Sequence, residues 1–265
     1  MSKEKLSVFK IGGKVVENEH LLADFLKAFN LIEGYKILVH GGGKWVTEMS
    51  QKLGIEVRMV EGRRITDART LEVVKMMLAG VANKNVVSKL QGYGCNAIGM
   101  TGADGNMIRA NKRPIKNGID YGFVGDIEKV NVAGLNNVIQ ADMVPVFAAM
   151  THDGEGQLLN TNADTIASAV AVAMSNHFDV ELNYCFELNG VLQNIEDLNS
   201  VIPEINLANY GQLKASGAIS AGMIPKIDNA FEALAAGVHA VRIMNSSHIE
   251  SLLNKKNKVG TIIVN

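Results

Sequence analysis

"KILVHGGGKWVTEMSQKLG", residues 36–54, reads as strand, glycine turn and helix. Lys36–His40 is a short, β-rich apolar run. Gly41, Gly42 and Gly43 follow at once, and from Trp45 the apolar residues fall at helical spacing until Gly54 closes the stretch. Glycines at such a turn let backbone N–H groups approach an anion with no Cβ in the way, and the following helix N-terminus adds partial positive charge. The stretch therefore predicts a phosphate-sized anion above a parallel sheet. It is not a Walker loop, which needs Gly at position 38 and Ser or Thr at 45, where Leu38 and Trp45 stand. It is not the dinucleotide fingerprint GxGxxG either. A tight turn with no ligand would explain it equally well on its own.

Outward from this stretch the same pattern repeats. "LSVFKI" (Leu6–Ile11) reads as a strand, and Gly12 and Gly13 follow it. Two glycine turns after neighbouring parallel strands would open on one carboxyl-end edge of a sheet. "LLADFLKAFNLI" (Leu21–Ile32), "VAGLNNVIQAD" (Val132–Asp142) and "NADTIASAVAVAMSN" (Asn162–Asn176) read as helices. "NAIGM", "VPVFAAM", "VELNYCFELNG", "VHAVRIM" and "GTIIVN" read as strands. Leu71–Gly94 reads as two helices or one broken helix, and "SSHIESLLNKK" as a helix. Ser220 is the expected N-cap of a helix that Gly237 closes. This alternation predicts an α/β fold, a three-layer α-β-α sandwich around a mostly parallel sheet. Between Gly105 and Ile127 the pattern turns short, alternating and polar, which predicts a hairpin near the ligand mouth. The chemistry divides around residue 175 within one continuous unit, residues 1–265.

The totals narrow the class. Of 265 residues 47% are hydrophobic and 20% charged, which is globular, and the net charge of −1 favours neither nucleic acid nor an anionic membrane. No apolar run approaches the roughly 18 residues of a membrane span, and the N-terminus has no signal-peptide core. Cys95 and Cys185 make no CxxC motif, so two thiols in a reducing cytoplasm are expected. The six histidines have no ligand spacing, and no metal centre is expected. His40, at its strand end, either lines the site or is simply buried.

Three charged residues stand out. Lys10 lies near the end of a buried strand, where a charge is costly unless it is paired or at the rim. Lys226 sits in the first turn of a helix, where a cation opposes the dipole. Asp164 opens a helix, where a carboxylate is ordinarily stabilising.

"FKIGGK", "LVHGGG", "EGRRIT", "GQLLNTNADT" and "AGMIPK", in this order, resemble the N-acetylglutamate kinase family of the amino acid kinase superfamily, from Leu6 to Asn265. The resemblance implies the amino acid kinase fold, with a substrate-binding lobe over 1–175 and a nucleotide-binding lobe over 176–265. It implies ATP-dependent phosphorylation of the side-chain carboxylate of N-acetyl-L-glutamate, a step of arginine biosynthesis. That carboxylate, with an ordinary pKa of about 4.3, is already ionised at pH 7, so no general base is needed. The difficulty is an anion attacking a polyanion, and positive charge and positioning must meet it.

Residue by residue, the resemblance implies Lys10 on the substrate side of the transferring phosphoryl group, Lys226 on the ATP side, and Asp164 orienting both. Gly13 and Gly43 would donate N–H groups to that phosphoryl group, with Gly12 and Gly42 shaping the turns. Arg64 would clamp the substrate α-carboxylate, with Arg63 as a surface charge, and Asn160 would bond the amide region. Mg²⁺ would arrive on the ATP phosphates. Glu187 and Gly190 would lie by the nucleotide, and Glu187, in "CFELNGVL", stands where the family has Asp. Ala221 replaces a frequent glycine. The chain starts a few residues before its first strand, so an arginine-insensitive homodimer is expected, joined through "VVKMMLAGVANKNVVSKL". The acyl group stays open: N-succinyl-L-glutamate or another N-acyl amino acid is the alternative, using a charge among Arg109, Lys112, Arg113 and Lys116. A catalytically silent nucleotide or amino-acid sensor is a third reading.

Overall fold

Leu6, Val8, Phe9 and Ile11 are all buried because their strand, Lys5–Ile11, lies at the middle of a sheet covered on both faces. It pairs in parallel with Asp179–Phe186 on one side and Tyr35–His40 on the other. The structure is a computed structural model that describes residues 3–194, 196–219, 223–253 and 259–265. Across the sheet the strands run Glu204–Ile205, Thr261–Ile263, Ala240–Asn245, Asp179–Phe186, Lys5–Ile11, Tyr35–His40, Val144–Ala148 and Ala97–Met100. Every neighbouring pair is parallel except Ala240–Asn245 with Thr261–Ile263.

Alternation along the strands sorts side chains between two cores. Leu6, Val8, Ile37, Val39 and Leu182 join the core under helices Ala163–Met174 and Ile224–Ala235. Phe9, Ile11, Leu38 and Cys185 join the core under helices Glu19–Leu31 and Asn83–Gly92. Phe9, Phe25 and Phe29 pack within the second core, two of their ring pairs edge to face. By the same parity Lys10 faces the helix that begins at Ala163, and His40 faces Asn83. The sheet register thus selects the partners of both residues.

Between Ala68 and Gly92 the helical run is continuous, where the sequence left one broken helix or two. Lys75–Ala82 is a π-helical stretch, joined on each side through residues in the right-handed helical region. The expected hairpin is present: Ile108–Lys112 pairs antiparallel with Gly125–Val130. With Met150–His152 and Leu158–Asn160 it forms a separate four-stranded sheet at the mouth of the central one. Ser246–Leu252 forms the helix expected there, in the 3₁₀ form. The end of that stretch, residues 254–258, lies outside the described residues, as do Ser220, read as an N-cap, and Ala221.

Candidate active site

Ile11 is in register with His40, so the two central strands end level. Both glycine turns therefore leave the sheet at the same height. Helix Gly13–Glu17 starts from Gly12, and helix Gly43–Lys52 starts from Gly42. The turns touch: a Cβ on Gly13 would lie 3.6 Å from the Gly43 nitrogen, and one on Gly41 would lie 3.8 Å from the Gly13 nitrogen. Gly42 has φ 146°, a conformation side chains rarely adopt, and a Cβ there would fall 2.9 Å from Leu78 Cδ2.

Neither glycine that caps these helices can bond their first N–H groups through a side chain. Glu17, from the first helix, supplies a carboxylate for the second: Oε1 accepts from the Lys44 N–H at 3.2 Å. Burial pushes its pKa up, and backbone N–H groups of Trp45 and Lys44 pull it back down. Lys44 itself is exposed and faces Glu48 at 3.7 Å, one helical turn on.

Lys10, 8% exposed, lies 2.8 Å from Asp164. Asn162 caps helix Ala163–Met174 by accepting from the Asp164 and Thr165 N–H groups, which sets Asp164 in the first turn. Lys226 stands in the first turn of Ile224–Ala235, just after Pro225. Phe186 is the shared floor: Lys226 Nζ is 3.7 Å and Lys10 Nζ 4.8 Å from its ring centre. Burial lowers the Lys226 pKa, Asp164 raises it, Lys10 lowers it further and Glu187 raises it. Two cations and one carboxylate thus meet over an aromatic ring, beside two glycine turns.

A cavity of about 270 Å³ opens from Lys10 and these turns and is lined also by Arg64, Asn160 and Arg113. Arg64 donates through Nη2 to the Gly43 carbonyl at 2.9 Å and to Thr47 Oγ1 at 2.7 Å. Its Nη1 is buried with no hydrogen-bond partner among the described residues. Asn160 donates to Thr66 Oγ1 at 3.0 Å. Arg63 is exposed, as expected of a surface charge, yet it too borders the cavity. Glu187 is exposed and lies 3.8 Å from Lys14. Gly190 is buried, and a Cβ there would meet Thr261 and Val201 at 2.8 Å, so close packing accounts for the glycine.

His40 does not line the cavity; it is fully buried. Burial pushes its imidazole down to about 4. In the unfolded chain the ordinary value is about 6.5. Below that pH the unfolded chain binds a proton that the folded one refuses until about pH 4. The stability that His40 contributes is therefore complete above about pH 6.5 and lost as pH falls toward 4, by about 3 kcal/mol. Denaturant unfolding at pH 7.5 and pH 4.5 checks this. His40→Asn should lose less stability over that interval, and an equal loss would refute the assignment.

A family model described as "Amino acid kinase family" matches residues 5–245. A protein of Cytophaga hutchinsonii named "Acetylglutamate kinase" is 53% identical over 98% of this chain and 99% of its own length. The chain belongs to the acetylglutamate kinase family, within the amino acid kinases. A second member, from Bacteroides thetaiotaomicron and with the same name, is 55% identical over 94% of this chain and 96% of its own. Among solved structures, smu.665 from Streptococcus mutans UA159 superposes with a TM-score of 0.77 at 27% identity, covering 98% of each chain. The fold of the family is thus the one built here from strand parity and level glycine turns.

Phe186, Glu17, Thr47 and Asn83 were not singled out from sequence. Phe186 had a signal: it shares a strand face with Tyr184, whose register partner is Lys10. The others had none, because each works through a contact with a distant segment.

Proposed function

We infer that this chain transfers the γ-phosphoryl group of ATP to the side-chain carboxylate of N-acetyl-L-glutamate, giving N-acetyl-L-glutamyl 5-phosphate for arginine biosynthesis. The observation that carries this reading is the pair Lys10 and Lys226 sharing Phe186 and Asp164 beside the touching turns at Gly13 and Gly43. An ionised carboxylate attacking a triphosphate needs cations and backbone donors, not a base.

Lys10 meets the phosphoryl group on the substrate side, and Lys226 follows the charge that grows on the ADP oxygen. Asp164 sets the spacing of the two ammonium groups. Gly13 and Gly43 donate their N–H groups to the phosphoryl oxygens, while Gly12 and Gly42 give the turns their shape. The unpartnered Nη1 of Arg64 suits a carboxylate, and Asn160 beside it suits the amide. The cavity is lined from residues before 175, whereas Lys226 and Glu187 follow it. This supports a substrate lobe over 1–175 and a nucleotide lobe over 176–265. Mg²⁺ would be held by the ATP phosphates; the nearby carboxylates of Asp164 and Glu187 already face lysines. Met76 and Val81 are exposed on the run Ala68–Gly92, which supports a homodimer joined there. Both cysteines are free and buried, which suits the cytoplasm, and no helix among the described residues is long and apolar enough to cross a membrane.

Arg113 supports a second reading of the acyl group. It borders the substrate cavity while its guanidinium bonds both oxygens of Asp126. A terminal carboxylate, as in N-succinyl-L-glutamate, could compete for it. With Mg·ATP and hydroxylamine, N-acetyl-L-glutamate should give the hydroxamate. Product from the succinyl compound alone would move the assignment to that substrate. Product from neither would overturn the kinase reading.

A further inference from the structure

We propose that His40 is a positioning residue for phosphoryl transfer: its Nδ1–H, donated to the Gly41 carbonyl oxygen at 2.9 Å, turns the N–H of cavity-lining Gly42 toward the phosphoryl group, so that Gly42, besides shaping its turn, adds a third N–H to those of Gly13 and Gly43. The proposal rests on the kinase reading above.

The Gly41 carbonyl and the Gly42 N–H belong to the same planar unit and point in opposite directions. Whatever pulls the carbonyl down into the protein aims the N–H outward. His40 sits under the turn on the core face of its strand, fully buried. A carbonyl oxygen can only accept, so Nδ1 holds the proton, and in a neutral imidazole Nε2 is then bare.

The surroundings fix that tautomer. Asn83, 1% exposed, lies with Nδ2 3.1 Å from His40 Nε2 and 2.9 Å from the Val146 carbonyl. Val146 O only accepts, so the amide nitrogen faces both partners and spends one hydrogen on each. The amide oxygen accepts from Lys84 Nζ at 3.2 Å. A Cβ on Gly99 would fall 2.1 Å from Asn83 Oδ1, so the glycine leaves the space that this amide occupies. All polar atoms of the imidazole are partnered in a dry site. A hydrophobic residue there would fill the core without a desolvation cost. The polar choice is explained by what it does to the turn, where Gly42 holds φ 146°.

His40 touches no reacting atom and acts through the backbone. Displacing such a donor weakens the transition state more than the bound reactants. Two substitutions separate this role from a structural one. His40→Asn puts an amide nitrogen where Nδ1 was and keeps the bond to Gly41. His40→Gln puts it where Nε2 was and keeps only the contact with Asn83. We expect His40→Asn to hold kcat within about threefold and His40→Gln to lose about 100-fold, with KM for ATP and for the acyl glutamate within about threefold in both. Equal kcat in the two variants would overturn the proposal, as would a loss confined to KM or one that tracks the fall in Tm across both. Long-range ¹H–¹⁵N spectra of the wild-type protein, assigned by subtraction of His40→Asn, should show a protonated Nδ1 and a bare Nε2. The opposite tautomer would overturn the proposal whatever the turnover. Wild-type turnover in the hydroxamate assay tests the kinase reading separately.

Discussion

Lys226→Ala should lower kcat by about 100- to 1,000-fold while leaving KM for the acyl glutamate within about threefold. In the proposed role Lys226 meets charge on the departing ADP oxygen, which exists only as the bond breaks. Its ammonium rests on Phe186, half-buried, with Asp164 pulling its pKa up against burial. The same substitution should not lower Tm, because a cation in the first turn of a helix works against the dipole. Loss of turnover without loss of stability is the signature, read by hydroxamate formation and thermal melting. An unchanged kcat would sink the role. Lys226→Arg should restore only part of the rate, since a planar fork sits on the ring differently from a compact ammonium.

Asp164→Asn should cost both rate and stability. The substitution keeps shape and helix position but leaves Lys10, 8% exposed, without its counterion. Lys10 then shares the Phe186 ring with a second cation and lacks the carboxylate that acted on both. Breaking a well-buried pair costs about 3–5 kcal/mol. The Asp164 side chain is 34% exposed, and solvent screening brings the expectation down to about 1–2 kcal/mol. We expect kcat to fall by about 100-fold, because two mispositioned lysines meet the phosphoryl group. Denaturant melts and steady-state kinetics on one preparation check both halves. A variant as stable and as fast as the wild type would remove Asp164 from the mechanism.

The fold was legible where local pattern and tertiary fate agree. Apolar runs such as Lys36–His40 became buried parallel strands, and the glycine turns kept their place at the strand ends. Lys10 was legible as an anomaly, because a charge on a central strand demands a partner. Its partner was legible only through the resemblance, since Asp164 looks by itself like an ordinary helix-opening carboxylate. The resemblance could not supply the link between His40 and Asn83. That link depends on strand parity and on how the π-helical stretch presents Asn83 beneath the turn, neither of which follows from spacing. Phe186 was only faintly marked: an aromatic at a strand end is ordinarily core, and its use as a cation floor appears only once Lys10 from the neighbouring strand and Lys226 from helix Ile224–Ala235 converge on it.

Glu17 has a mechanical consequence. It ends one short helix and holds the N-terminus of the next, so the two glycine turns are clamped end to end. A thermal displacement of either turn carries the other along. Glu17→Ala should therefore loosen the spacing of the two N–H rows while leaving each turn intact, much as a calliper with a slack rivet keeps both jaws but not their gap. A faster exchange of the Lys44 amide hydrogen in that variant would report the slack directly.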